Sequence, residues 1–114
     1  MEAKKQFFTE CHLAGRQYYD VDEVWDELHI GTHLKLEREP DNHFDKNAIQ
    51  IIYERESDKE CFMLGYIPRT ENSTISKLID AGWDKIFDCR ISKKTAEAQY
   101  EEQIRMTIRI NKNK

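Results

Sequence analysis

Between Arg38 and Tyr53 the chain reads REPDNHFDKNAIQIIY, a stretch that places Asp41, Asn42, His43, Phe44, Asp45 and Asn47 almost side by side. Two carboxylates, two amides, an imidazole and one aromatic ring can serve two kinds of chemistry. Asp41, His43 and Asp45 could offer ligands to a hard divalent cation, as a metal-dependent phosphoesterase requires. Alternatively, Phe44 stacks on a planar ligand while the amides and acids take its hydrogen bonds. The consecutive tyrosines of RQYYD, Tyr18 and Tyr19, add aromatic surface to the second reading. In an extended segment neighbouring side chains face opposite ways, so at most one tyrosine can lie in the core while the other is displayed. Rings flanked by hydrogen-bonding groups suit single-stranded nucleic acid, whose bases stack on aromatic side chains for roughly 1–3 kcal/mol each.

Other reactive side chains lead less far. Cys11 adjoins His12, but adjacent strand residues point to opposite faces and cannot form a local nucleophile–base pair. Cys61 and Cys89 lie in strand patterns and are expected to pack. An odd number of widely spaced cysteines without a CxxC pair reads as reduced thiols in a cytoplasmic protein, not as disulfides or a zinc site. His29, His33 and His43 lack metal-ligand spacing and read as surface or loop histidines. No metal, small-molecule cofactor or enzymatic step is expected.

The elements that must position these groups are short. Length 114 supports one domain. No apolar run approaches a membrane span, and MEAKKQFFTECHL is read as lacking a signal peptide. FFTECHLAG, THLKLE, NAIQIIY, CFMLGYIPR, FDCRI and IRMTIRI read as strands by alternation and β-branched content. Pro68 closes the fourth of these. DVDEVWDELHIG reads as a brief helical turn capped by Asp20 or Asp22. ENSTISKLIDAG reads as the clearest helix, capped by Asn72 or Ser73 and stopped by a left-handed Gly82. ERESDKE reads as a charged hairpin connection and nothing more; Trp25 and Trp83 read as core or rim packing. About six short strands and two short helices, without βαβ alternation, must hide their edges. A small, partly open antiparallel β-barrel, mainly β with peripheral helices, does so.

Charge sets a limit on partners. The net charge is −4, against the basic field usual for nucleic-acid binders. It is uneven: from Arg90 to Lys114 seven basic residues meet three acidic ones, a local basic surface on an acidic body. The same residues also fit solvated strand faces and a frayed tail.

LAGRQYYD, GTHLKLEREPDNHFDKNAIQI and LGYIPRTENSTISKLIDAG, in that order, resemble a HIRAN domain, the small module found at the N-terminus of some SWI/SNF-type helicase-like proteins and also as a free-standing bacterial protein. The resemblance covers about residues 6–110 and makes 1–114 a single domain with a lysine-rich tail at 111–114. It implies an OB-like β-barrel and binding of single-stranded DNA at a free 3′ end, in DNA repair or processing, with a helicase or nuclease as candidate protein partner. Residue by residue, it assigns Tyr18 and Tyr19 to the terminal base, Asp41, Asn42, Phe44 and Asp45 to the loop, and Tyr66 and Arg69 to the nucleotide and its backbone. Within that assignment Asp45 accepts a hydrogen bond from the 3′-hydroxyl and Asn42 fixes the last nucleotide. Where the family pattern has a basic residue before the tyrosines this chain has Gln17, with Arg16 one position earlier, and both are assigned to the DNA-binding site.

A carboxylate is acceptor-only, so it accepts a terminal hydroxyl and repels a terminal phosphate. With Phe44 in place of a tyrosine and Asp41 near the phosphate path, weak, strongly salt-dependent binding is expected. Three alternatives stay open. The exposed rings could serve a protein-interaction module without nucleic-acid affinity, and the acids could serve a phosphoesterase. Gly65, Pro68, Asp45 and Asn47 could be purely architectural.

Overall fold

The computed structural model describes residues 6–111; Met1–Lys5 and the end of the lysine-rich tail, including Lys112 and Lys114 of the basic stretch, lie outside the described residues. Alternation builds its sheet. The last strand, β6 (Ile104–Ile110), buries Ile104, Met106 and Ile108 and sets Arg105, Thr107 and Arg109 on the other face. It runs between β1 (Gln6–His12) and β5 (Phe87–Lys94), antiparallel to both. β2 (His33–Arg38), β3 (Ile49–Glu54) and β4 (Cys61–Tyr66) continue the sheet in the order β1-β6-β5-β2-β3-β4.

Curling brings the two ends of this sheet together without closing it. Beyond β1, Ala14 meets Tyr66 through two backbone hydrogen bonds of 2.9 Å, one in each direction. That contact explains Gly65. A Cβ at Gly65 would stand 2.4 Å from the Ala14 carbonyl oxygen, so no side chain fits there. The result is the partly open antiparallel barrel expected from the strand pattern, and it is OB-like, as the resemblance implies. Leu13, Leu34, Ile49, Ile51, Leu64 and Ile91 fill it.

The helices lie on the periphery. α1 (Ser73–Asp80) buries Ile75 and ends in paired hydrogen bonds, Gly82 N–H to Ile79 O and Trp83 N–H to Leu78 O. Gly82 takes φ 96°, the left-handed residue this C-terminal motif requires. Asn72 precedes α1, but its side chain does not cap it; it is buried and turned toward the loop before β3. The segment Asp20–Glu27 forms 3-10 turns, whose threefold repeat puts Val21 and Val24 on one buried face. Neither Asp20 nor Asp22 caps it with its side chain. No described helix is long and apolar enough to cross a membrane.

Three expectations need correction. Cys61 is exposed, not packed, because it opens β4 on the outer face; Cys11 and Cys89 are buried, and all three thiols are free. ERESDKE is more than a connection. Arg55 within it pairs with Glu27 at 2.8 Å and lies over the Phe62 ring, fastening the β3–β4 hairpin to the 20–27 turns. Trp83 stands half in solvent after α1, whereas Trp25 packs against the core.

Candidate nucleic-acid interface

The seam where Ala14 meets Tyr66 is also where the aromatic groups gather. Arg16–Tyr18 is a 3-10 turn, not an extended segment, begun by a Tyr18 N–H to Gly15 O bond of 3.0 Å. Strand alternation therefore does not apply. Tyr18 and Tyr19 are both exposed, 76% and 40%, so neither fills the core. Tyr19 meets Tyr66 of β4 edge-on, with ring centroids 5.7 Å apart.

The facing wall is the loop between β2 and β3. Arg38 supports its base: the guanidinium donates to the carbonyls of Ala48 and Lys46 and pairs with Asp80 of α1 at 2.9 Å. Asn42 shapes its crest. Its Oδ1 accepts the backbone N–H groups of Phe44 at 2.8 Å and Asp45 at 2.9 Å, which leaves the Phe44 ring 85% exposed. Between the walls lies a hollow of about 290 Å³, lined among others by Tyr18, Tyr19, Asn42, Phe44, Asp45, Tyr66 and Arg69.

Asp45 sits in this hollow with its side chain 19% exposed. Its Oδ1 accepts the Asn47 backbone N–H at 2.9 Å, and its Oδ2 accepts from Asn72 Nδ2 at 2.8 Å. Arg69 Nε is 3.9 Å from the same Oδ2, and Arg69 also donates to the Phe44 carbonyl. The carboxylate thus braces the loop where Asp45 lines the hollow, and each oxygen has the capacity for a second hydrogen bond. Asn72 was not legible as its partner, because an asparagine before a helix reads first as a cap.

The other assigned residues divide. Asp41 and His43 line an adjoining hollow of about 430 Å³ that shares Tyr19, Asn42, Phe44 and Tyr66 and adds Glu39. Among the described residues no group of three or more His, Cys, Asp or Glu side chains is placed to hold a metal ion. Gln17 is exposed and lines neither hollow. Arg16 is 3% exposed and turned into the protein, not toward the groove. Its guanidinium lies 5.2 Å from the Trp25 ring and 4.8 Å from the Tyr100 ring and pairs with Asp22 at 3.0 Å. It therefore clamps the turn that carries the tyrosines.

Glu39 was not singled out from the sequence. Its carboxylate accepts hydrogen bonds from Tyr66, Asn42 and Gln50, which hold it below the usual carboxylate range. Burial, together with the bonds to Glu39 and Tyr19, raises the Tyr66 phenol above its ordinary value.

The HIRAN domain profile matches residues 6–112, and the chain belongs to that family. It is 38% identical over 92 residues to the Fanconi-associated nuclease 1 homolog of Arabidopsis thaliana, covering 78% of this chain but only 9% of that protein. In fold it is similar to a crystal structure of a protein from Lactobacillus plantarum, with TM-score 0.75 and 20% identity over 97% of this chain and 99% of the other. It is also similar to the HIRAN domain of human HLTF, with TM-score 0.60 and 16% identity over 96% and 78% of the two chains.

Proposed function

We propose that this domain binds single-stranded DNA and reads a free 3′-hydroxyl end without performing a catalytic step. The reading rests on one observation above the others: Asp45 lines a hollow whose walls carry Tyr18, Tyr19 and Phe44. The rings take the last bases by stacking, which is indifferent to sequence. Asp45 accepts the 3′-hydroxyl. An internal nucleotide or a 3′-phosphate would bring a second anion against it, so the strand end is selected by repulsion of everything else. Arg69, exposed beside Asp45, meets the backbone, and Asn42 holds the loop rather than the nucleotide. Membership of the HIRAN family and the nuclease named among its relatives support a role in DNA repair or processing, with a helicase or nuclease as protein partner.

One observation favours a protein ligand instead. Among the described residues Arg69 is the one basic side chain lining the hollow, while Glu39 and Asp41 line its neighbour. Fluorescence anisotropy at low salt separates the readings. Oligonucleotides that differ only in ending as 3′-hydroxyl, 3′-phosphate or blunt duplex are compared. The proposal expects the hydroxyl end to bind best; no binding to any of the three removes it.

A further inference from the structure

We infer that Glu39 is a positioning residue that holds both walls of the groove with one carboxylate, an inference resting on the reading of that groove as a nucleic-acid site. Oε1 of Glu39 accepts from the Tyr66 hydroxyl and from Asn42 Nδ2, each at 2.7 Å. Oε2 accepts from Gln50 Nε2 of β3 at 3.0 Å. Each donor on Oε1 leads to a different wall. Tyr66 carries the edge-on contact to Tyr19, and Asn42 carries the amides of Phe44 and Asp45.

The backbone roots the hub. Glu39 N–H donates to Ala48 O at 3.0 Å, and its carbonyl accepts Asn42 N–H at 3.1 Å. Glu39 therefore cannot shift without moving the loop. A shared acceptor also fixes a distance: with Tyr66 and Asn42 both bound to one oxygen, the ring wall and the loop wall stand at a set separation. That separation decides whether a base fits between Tyr19 and Phe44. What the arrangement needs from Glu39 is acceptor oxygen at one point, and the negative charge is secondary. Glutamine retains such an oxygen, because Gln50 can turn its amide over to present its own oxygen to the new side-chain N–H. Leucine retains the bulk and offers no acceptor.

The experiment compares wild type, Glu39→Gln, Glu39→Leu and Tyr66→Phe by two readouts. One is anisotropy with a 3′-hydroxyl oligothymidine; the other is amide hydrogen exchange at Phe44 and Asp45, which needs no ligand. Loss of a shared acceptor is expected to lower affinity about tenfold in Glu39→Leu and to speed exchange at both amides by a similar factor. Glu39→Gln is expected within about threefold of wild type on both readouts, since an acceptor persists. Tyr66→Phe is expected to weaken binding while leaving the loop amides at their wild-type rates. Wild-type exchange in Glu39→Leu overturns the inference, as does equal damage in Glu39→Gln and Glu39→Leu. If the wild type binds no oligonucleotide, the nucleic-acid reading fails, and amide exchange still decides the role of Glu39.

Discussion

At the scale of single residues the groove separates rings left exposed from polar groups that brace. Phe44 is the cleanest case, because its ring is almost free of protein contacts. Phe44→Ala is expected to leave the thermal midpoint unchanged, as exposed substitutions do within about 0.5 kcal/mol. The same change should weaken oligonucleotide binding by about 1–3 kcal/mol, read by anisotropy beside a melting curve. The loop acids and amides were legible as a group because their types are unusual together. Their partners were not, since Asn72 lies 27 positions from Asp45 and Tyr66 27 from Glu39. Arg16 illustrates the opposite failure. An arginine near the tyrosine pair reads as part of the DNA-binding site, yet stacking between Trp25 and Tyr100 and pairing with Asp22 take it into the interior.

At the scale of elements, strand alternation carried most of the fold. Ile104, Met106 and Ile108 point inward as a period of two requires, and Pro68 follows β4 as expected. Turns were harder to read. RQY folds as a 3-10 turn because Arg16 is clamped in the interior and Gly15 opens the turn, and neither constraint is visible in a local pattern. The seam rests on Gly65, and this can be tested. Gly65→Ala forces a methyl group against the Ala14 carbonyl and should destabilise the fold by about 1–3 kcal/mol in urea denaturation. Because Tyr66 is tied to the same bridge, binding should weaken along with stability.

At the scale of the whole molecule two bulk properties make predictions. Cys11 of β1 and Cys89 of β5 are buried in the core, and burial pushes the Cys11 thiol from 9.0 up to about 12 and raises Cys89 as well. A folded state that keeps these thiols neutral loses ground once the unfolded chain can ionise them. Stability should therefore hold below about pH 9 and fall as pH rises from there toward 12, as urea midpoints at stepped pH would show. A thiol reagent at neutral pH should modify only Cys61 in the native protein and all three cysteines in urea. Net charge of −4 suggested steep salt dependence; the structure implies less. With Arg69 the one cation lining the hollow among the described residues, the slope of log affinity against log salt should be near −0.7, about one phosphate neutralised on a single strand. The most direct measurement is the ratio of affinities for 3′-hydroxyl and 3′-phosphate ends in wild type and in Asp45→Asn. Repulsion by one carboxylate predicts a ratio of about ten or more that falls toward one in the variant. A ratio of one in the wild type, or a preference that survives in Asp45→Asn, would contradict the account.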